Sequence, residues 1–221
     1  ERPDTSNSYQ GSPRIYYSGG QNGTRRNHIQ DFDATTTSGN ATDTGDLNES
    51  LSAGCGMGGS EYSFHAGGRK NNNYGSNIIQ RWTATVSSGV TYTDHGDLIN
   101  SPYGPGAAND GGYNSGEIGQ IAGGYIWNGS SAPACNNIQY ISFSSLGANA
   151  VDKGDLARSK GWGGTISGDD YFFYVNGHDG SSVDALEYWP ISTVSSNASS
   201  RTSGASHTEH GAATGAGFSG N

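Results

Sequence analysis

The chain has 221 residues and a formal net charge of −9, with Lys and Arg together numbering only 11. Sequence-independent nucleic-acid binding needs clustered positive charge, so that partner is excluded; no stretch approaches the roughly 20 apolar residues of a membrane-spanning helix, so no membrane partner is expected. Apolar residues make up 31% and Gly numbers 37, which predicts one thin-cored, turn-dense β domain in which Tyr and Trp do much of the packing.

The chain begins at Glu1, which implies a processed leader or a start lying upstream. Residues 1–10 form a polar lead, and 11–221 read as a single domain of four units. Unit one, about 11–47, starts with a hydrophobic stretch ending in a glycine pair, Arg14–Gly20. An alternating stretch follows at His28–Ala34, then a turn at Ser38-Gly39-Asn40, then Asp43-Thr-Gly-Asp-Leu47. Unit two, about 48–98, opens on the small-residue stretch Leu51–Gly58. It then repeats the series as Tyr62–Gly68, Ile78–Ala84, Ser88-Gly89-Val90 and Asp94–Leu98. Unit three, about 99–156, carries Gly119–Gly124, Asn137–Phe143, Leu146-Gly147-Ala148 and Asp152–Leu156. Unit four, about 157–206, carries Tyr171–Gly177, with Asn176 replacing the first glycine, then Ala185–Ile191 and Ser196-Asn197-Ala198. Its Gly-Asp-Leu is eroded to Gly204-Ala205-Ser206.

A long period of this kind marks an array of similar supersecondary units. Each unit reads as four short strands: an inner one rich in small residues, one ending in the glycine pair, one with Ile and aromatic residues, and one entering Gly-Asp-Leu. β-branched and aromatic enrichment, closely spaced turn residues and the lack of a 3.6-residue apolar period exclude long helices. Four strands per repeat of about 50 residues predict propeller blades. The chain enters at a second-type strand, and residues 207–221 are left over as an unused inner strand. The expected fold is therefore all-β: a four-bladed propeller, closed by the C-terminal strand pairing into the first blade, which removes an exposed sheet edge.

The repeated Asp-x-Gly-Asp-Leu offers two oxygen donors per unit, from Asp43 and Asp46, Asp94 and Asp97, and Asp152 and Asp155. Calcium wants six to eight oxygens, so these aspartates are expected to be structural, capping backbone N–H groups beside a glycine bend while the leucine fills the gap between blades. Gln30, Gln80, Gln139 and Glu187 share one strand position and are expected to bond within or between blades. The six histidines share no repeat position, and the His207/Glu209/His210 cluster lacks metal-site spacing for a strand. No metal or other cofactor is expected. Cys55 and Cys135 occupy different repeat positions and are expected to be free. Nucleophile-elbow and phosphate-loop motifs are missing, so the chain is not expected to be an enzyme. Tyr74, Tyr103, Trp127 and Trp162 lie where insertions break the period and are candidates for glycan stacking, although solitary surface aromatics are common.

A hydrophobic run ending in Gly-Gly, followed by a polar loop and an aromatic strand, resembles the kelch repeat, without its regularly spaced Tyr and Trp. The repeat is more similar to kelch-like repeats of tailed-bacteriophage virion proteins, especially those of cyanophages. Unit one matches through Gly19-Gly20, Ile29, Gly39-Asn40-Ala41, Asp43 and Gly45–Leu47. Unit three matches through Gly123-Gly124, Asn137-Ile138, Tyr140-Ile141, Asn149-Ala150, Asp152 and Gly154–Leu156. The resemblance implies a non-enzymatic capsid decoration or tail-fibre protein at the virion surface. Its partners would be other capsid or tail proteins or copies of itself, with a host-surface glycan as a further partner. Two alternatives are a lectin-like glycan-binding module and a secreted filament or cell-surface structural protein.

Overall fold

The computed structural model describes residues 5–8, 14–33, 35–59, 61–84, 88–109, 118–168, 170–181, 185–192 and 195–201. All the regular structure among them is β. The first sheet holds β1 (Thr5–Ser8), β2 (Arg14–Ser18), the short β3 (Gln21–Asn22), β4 (Thr24–Asp33) and the long β5 (Thr42–Ser52). The second holds β6 (Cys55–Gly58), β7 (Tyr62–Ala66), β9 (Ile78–Thr83) and β11 (Thr93–Asp97). Between these, the short β8 (Arg69–Lys70) and β10 (Val90–Thr91) both reach back to β5. The third is β12 (Gly106–Asn109), β13 (Ile118–Ala122), β14 (Asn137–Ser142) and β15 (Val151–Asp155). The fourth is β16 (Gly164–Ser167), β17 (Tyr171–Val175), β18 (Leu186–Pro190) and β19 (Ser199–Arg201). Within each sheet the four main strands run antiparallel in chain order, and the inner strands lie beside one another, β1 by β6, β6 by β12 and β12 by β16. The result is a propeller-like all-β fold.

One expectation needs correction. The strand paired to the inner edge of β2 is Thr5–Ser8, in register Thr5↔Ser18 to Ser8↔Ile15, not a C-terminal one. Thr5–Ser8 of the polar lead is thus part of the first sheet, and residues 207–221 lie outside the described residues. The run Thr-Ser-Asn-Ser carries no apolar signal, yet inner strands crowd the axis and favour short side chains, which these residues supply.

The core lies at the joints between sheets. Tyr16, Ile29, Leu47 and Leu51 of the first sheet pack with Trp82, Ala84 and Val90 of the second. Met57, Phe64, Ile79 and Leu98 pack with Ile121, Ile141 and Phe143. Ala122, Ile138 and Leu156 pack with Phe172, Tyr174, Trp189 and Ile191. The leucine of each Gly-Asp-Leu is therefore a joint residue, at 2–3% exposure.

The rest of the motif also serves the joint. A Cβ on Gly45, Gly96 or Gly154 would fall 2.2, 2.4 or 2.5 Å from the carbonyl oxygen of Val90, Ala148 or Ser196, in the turn of the next sheet. The glycine is there because that backbone passes directly over it. Asp94 and Asp152 accept the N–H of Gly96 and Gly154 at 3.1 and 3.0 Å. The N–H groups of Asp97 and Asp155 donate across the joint to Asn149 and Asn197, both at 3.0 Å. Gln80, Gln139 and Glu187 accept the N–H of the residue after the leucine, Asn48, Ile99 and Ala157, at 2.7, 2.7 and 2.6 Å. The variable residue of the motif is buried as well. Thr44 donates to the Ile29 carbonyl within its own sheet, whereas His95 and Lys153 reach the carbonyls of Ser142 and Ser192 in the next sheet.

Candidate binding face

In the second, third and fourth units the residue immediately after the glycine pair, or after its Asn176-Gly177 equivalent, faces the chain that links one sheet to the next. Ser52 pairs with Arg69, and Tyr103 and Gly161 form bridges to Tyr125 and His178. The links are themselves stitched in series. Gly104 N donates to Ala53 O at 2.7 Å, and Trp162 N donates to Gly104 O at 2.8 Å. These three equivalent residues all have left-handed backbone, with φ of 55°, 64° and 60° for Ala53, Gly104 and Trp162. A bulky residue there carries about 1–3 kcal/mol of strain. Because Ala53 and Gly104 adopt the same conformation, the strain at Trp162 belongs to the repeat geometry.

This register gathers side chains from three sheets on one rim. The rings of Tyr103 and Tyr125 stack at 5.7 Å between centroids, and Trp162 lies 6.1 and 6.0 Å from them. The Arg69 guanidinium sits 5.1 Å from the Tyr103 centroid, a cation–π contact that leaves its charge at the rim. The Tyr125 hydroxyl donates to the His178 carbonyl at 2.6 Å and lies 2.9 Å from His178 Nδ1. Burial pushes the Tyr125 hydroxyl up to about 12, so it stays a neutral donor. The rings rest on bare backbone: a Cβ on Gly104 would overlap the Trp162 indole at 2.8 Å, and one on Gly161 would overlap Tyr125 at 2.5 Å.

Of the four candidate stacking residues, Tyr103 and Trp162 are brought together. Tyr103 is only 7% exposed, which leaves little of its ring to receive a ligand. Tyr74 is 49% exposed, and its hydroxyl approaches Gly129, in the loop that carries the half-buried Trp127. Tyr125, His178 and Arg69 were not picked out from the sequence. The signal was present, since Arg69 and Tyr125 directly follow a glycine pair and His178 follows its Asn176-Gly177 equivalent, but it shows only once the links are known to bridge that position.

Beneath the rim lies a buried ion pair. Lys160 and Glu187, at 0% and 1% side-chain exposure, meet at 2.7 Å, and the Lys160 ammonium lies 4.8 Å from the Tyr174 centroid. Desolvation lowers the Lys160 pKa and its carboxylate partner opposes the shift. Cys135 and Cys55 are free thiols, pushed by burial up to about 11 and about 12, so neither is a ready nucleophile. Asp43 and Asp46 are well exposed beside His28, at 3.4 and 3.6 Å. Among the described residues, no three His, Cys, Asp or Glu side chains converge as a metal site. His207, Glu209 and His210 lie outside them.

No protein-family model and no curated protein sequence matches the chain. Solved structures do match: with YjhT, a structure of the β-propeller type, the TM-score is 0.70 at 11% identity, covering 89% of this chain and 68% of that one. As many as 184 chains of known structure match, so the fold is widespread and speaks for architecture alone.

Proposed function

We propose that the chain is a non-enzymatic structural protein exposed on a phage particle, a capsid decoration or fibre component with its four sheets as kelch-like blades. Its partners are capsid or tail proteins or copies of itself, and its place is the virion surface. The observation that carries this reading is the use made of the repeated motif. Asp94, Asp152, Gln80 and Gln139 accept backbone N–H groups within or between sheets, and Glu187 divides its carboxylate between the Ala157 N–H and Lys160. These residues of the repeat thus serve the strands and the joints between sheets, and the repeat resembles that of phage virion proteins. Mass spectrometry of gradient-purified particles tests this. The protein should co-purify at fixed copy number, and recovery only in the soluble fraction of infected cells would sink the proposal.

A second reading, a lectin-like module, is favoured by exposed Tyr74 set against the loop of half-buried Trp127. A glycan array read with the parent, Tyr74→Ala and Trp127→Ala proteins tests it. Binding lost in the variants supports a stacking site, and no binding by the parent removes the reading.

A further inference from the structure

The three joints share one receiving side. It consists of the Gln/Glu acceptor, the turn laid over the preceding glycine, and a large apolar side chain of the third strand: Trp82, Ile141 or Trp189. The Gln/Glu acceptors and the third-strand side chains are buried, as are the second-strand residues next to them, His65, Ile121 and Tyr174. The first sheet carries the same set in Gln30, Gly39-Asn40 and Phe32, with Tyr17 at the second-strand position. There Gln30, Phe32 and Tyr17 are only half-buried. Phe32 stacks on Tyr17 at 5.7 Å. An open pocket of about 410 Å³ lies at the loop end of this sheet, lined by Phe32, Gly39, Asn40 and Thr42 and by Arg14 and Asp31 of the other face. Asn40 stands where Asn149 and Asn197 accept an N–H from the preceding sheet.

The sending side is equally open at the other end. Tyr16, Phe64 and Gln120 occupy one repeat position and contact the next sheet. Tyr16 meets Trp82 edge to face at 5.9 Å, Phe64 stacks on Phe143 at 4.3 Å, and Gln120 bonds Trp189 Nε1. Their equivalent in the fourth sheet is Phe173. It is half-buried, and its neighbours Tyr188 and Tyr171 are half-buried and 42% exposed. Among the described residues, β16 makes no close packing with β1 of the kind that joins the other inner strands.

We propose that a second copy of this chain covers the receiving face of the first sheet, docking head to tail through the sending face of its fourth sheet. Phe173 of one copy then packs on Phe32 of the next, continuing the joint that the chain already makes three times. One copy carries both halves, so the contact is heterologous and produces a ring or a filament according to its rotation. The inference rests on the joints alone and stands apart from the virion reading.

The test is a Phe32→Cys/Phe173→Cys double variant under mild oxidation, read by non-reducing electrophoresis, with sedimentation of the parent protein over a concentration series. The native thiols Cys55 and Cys135 supply the background lane. The expected result is a ladder in steps of 22.9 kDa, absent from each single variant, with parent association that rises with concentration. Phe32→Asp, which alters a partly exposed ring and keeps the circular dichroism of the parent, should weaken that association at least tenfold. A disulfide confined to one chain would show that the four sheets close on themselves and overturn the proposal. A parent that remains a single copy at all concentrations, with no ladder, would overturn it too.

Discussion

Replacing Gly154 by Ala should separate the two reasons a glycine can be needed. Its φ is 146° and a Cβ would lie 2.5 Å from Ser196 O, 2.7 Å from Ser196 C and 2.8 Å from Asn197 Oδ1. Two of these are backbone atoms, which cannot swing aside as a flexible side chain could. Gly147 provides the control: its φ is 79°, but nothing lies within 4 Å of its Cβ position. Left-handed backbone costs an alanine about 1 kcal/mol at either site. At Gly154 overpacking adds about 1–3 kcal/mol. Opening the joint instead loosens the bonds Ser196 N to Lys153 O, Ala198 N to Asp155 O and Asp155 N to Asn197 Oδ1, each worth about 1 kcal/mol net. The expected cost is thus about 2–4 kcal/mol for Gly154→Ala and about 1 kcal/mol for Gly147→Ala. At this chain length that is a fall in Tm of roughly 10 °C against roughly 3 °C. Urea denaturation of both variants beside the parent measures the difference. Costs within about 0.5 kcal/mol of each other would refute the claim that the next sheet's backbone, and not φ alone, demands this glycine.

The other joint residues make their own predictions. Gln139→Leu should cost about 1–3 kcal/mol, because it strands the Ile99 N–H that Gln139 accepts at 2.7 Å; an unchanged urea midpoint would deny the contact its role. His65 is fully buried, 2.9 Å from Ser18 Oγ, and burial lowers its pKa to about 4. The unfolded chain, with an ordinary His pKa of about 6.5, binds the proton first, so stability is complete above that value and falls by about 3 kcal/mol as pH drops towards 4. A His65→Asn variant should lose that slope in urea titrations between pH 7 and 4, and an identical slope in both proteins would count against it. Glu187→Gln should cost about 3–5 kcal/mol by leaving Lys160 buried without its carboxylate, whereas Lys160→Leu/Glu187→Gln should recover most of the loss. The double variant imitates the first joint, where Leu51 and Gln80 stand at the same two positions, and a cycle without coupling would show that the two residues do not act as a pair.

Much of the architecture was legible because the joint imposes a strict repeat. Asn176 could be equated with Gly19, Gly67 and Gly123, and its φ of 59° matches theirs of 71°, 66° and 64°, since Asn tolerates left-handed backbone. The Gln/Glu position could be phased by its apolar neighbours. What escaped reading has physical causes. Thr5–Ser8 was hidden because an inner strand selects for small size and not for hydrophobicity. The burial of His95 and Lys153 has no sequence signal, because it comes from a β-bulge at Gly96 and Gly154 that turns them inwards. The aromatic rim was only half visible: Tyr103 and Trp162 lie in links whose register with Tyr125 and His178 depends on pairing between sheets, which no local pattern encodes.

The low apolar content has an explanation in the same geometry. Each joint carries one leucine, a few rings and a belt of hydrogen bonds, so sheets are held by paired polar groups as much as by buried hydrocarbon. Those groups differ from joint to joint. Thr44, His95 and Lys153 satisfy carbonyls from one position with three chemistries, while glycine, leucine and the Gln/Glu acceptor stay fixed. In an array of this kind stability is close to a sum over units and neighbouring joints. The second and third sheets each take part in two such joints. The first and fourth each take part in one, and each leaves half-buried aromatics on its outer face. The ends are therefore the least stable parts of the described structure, and the same faces that make them so, Phe32 with Tyr17 and Phe173 with Tyr188, gain most from being covered.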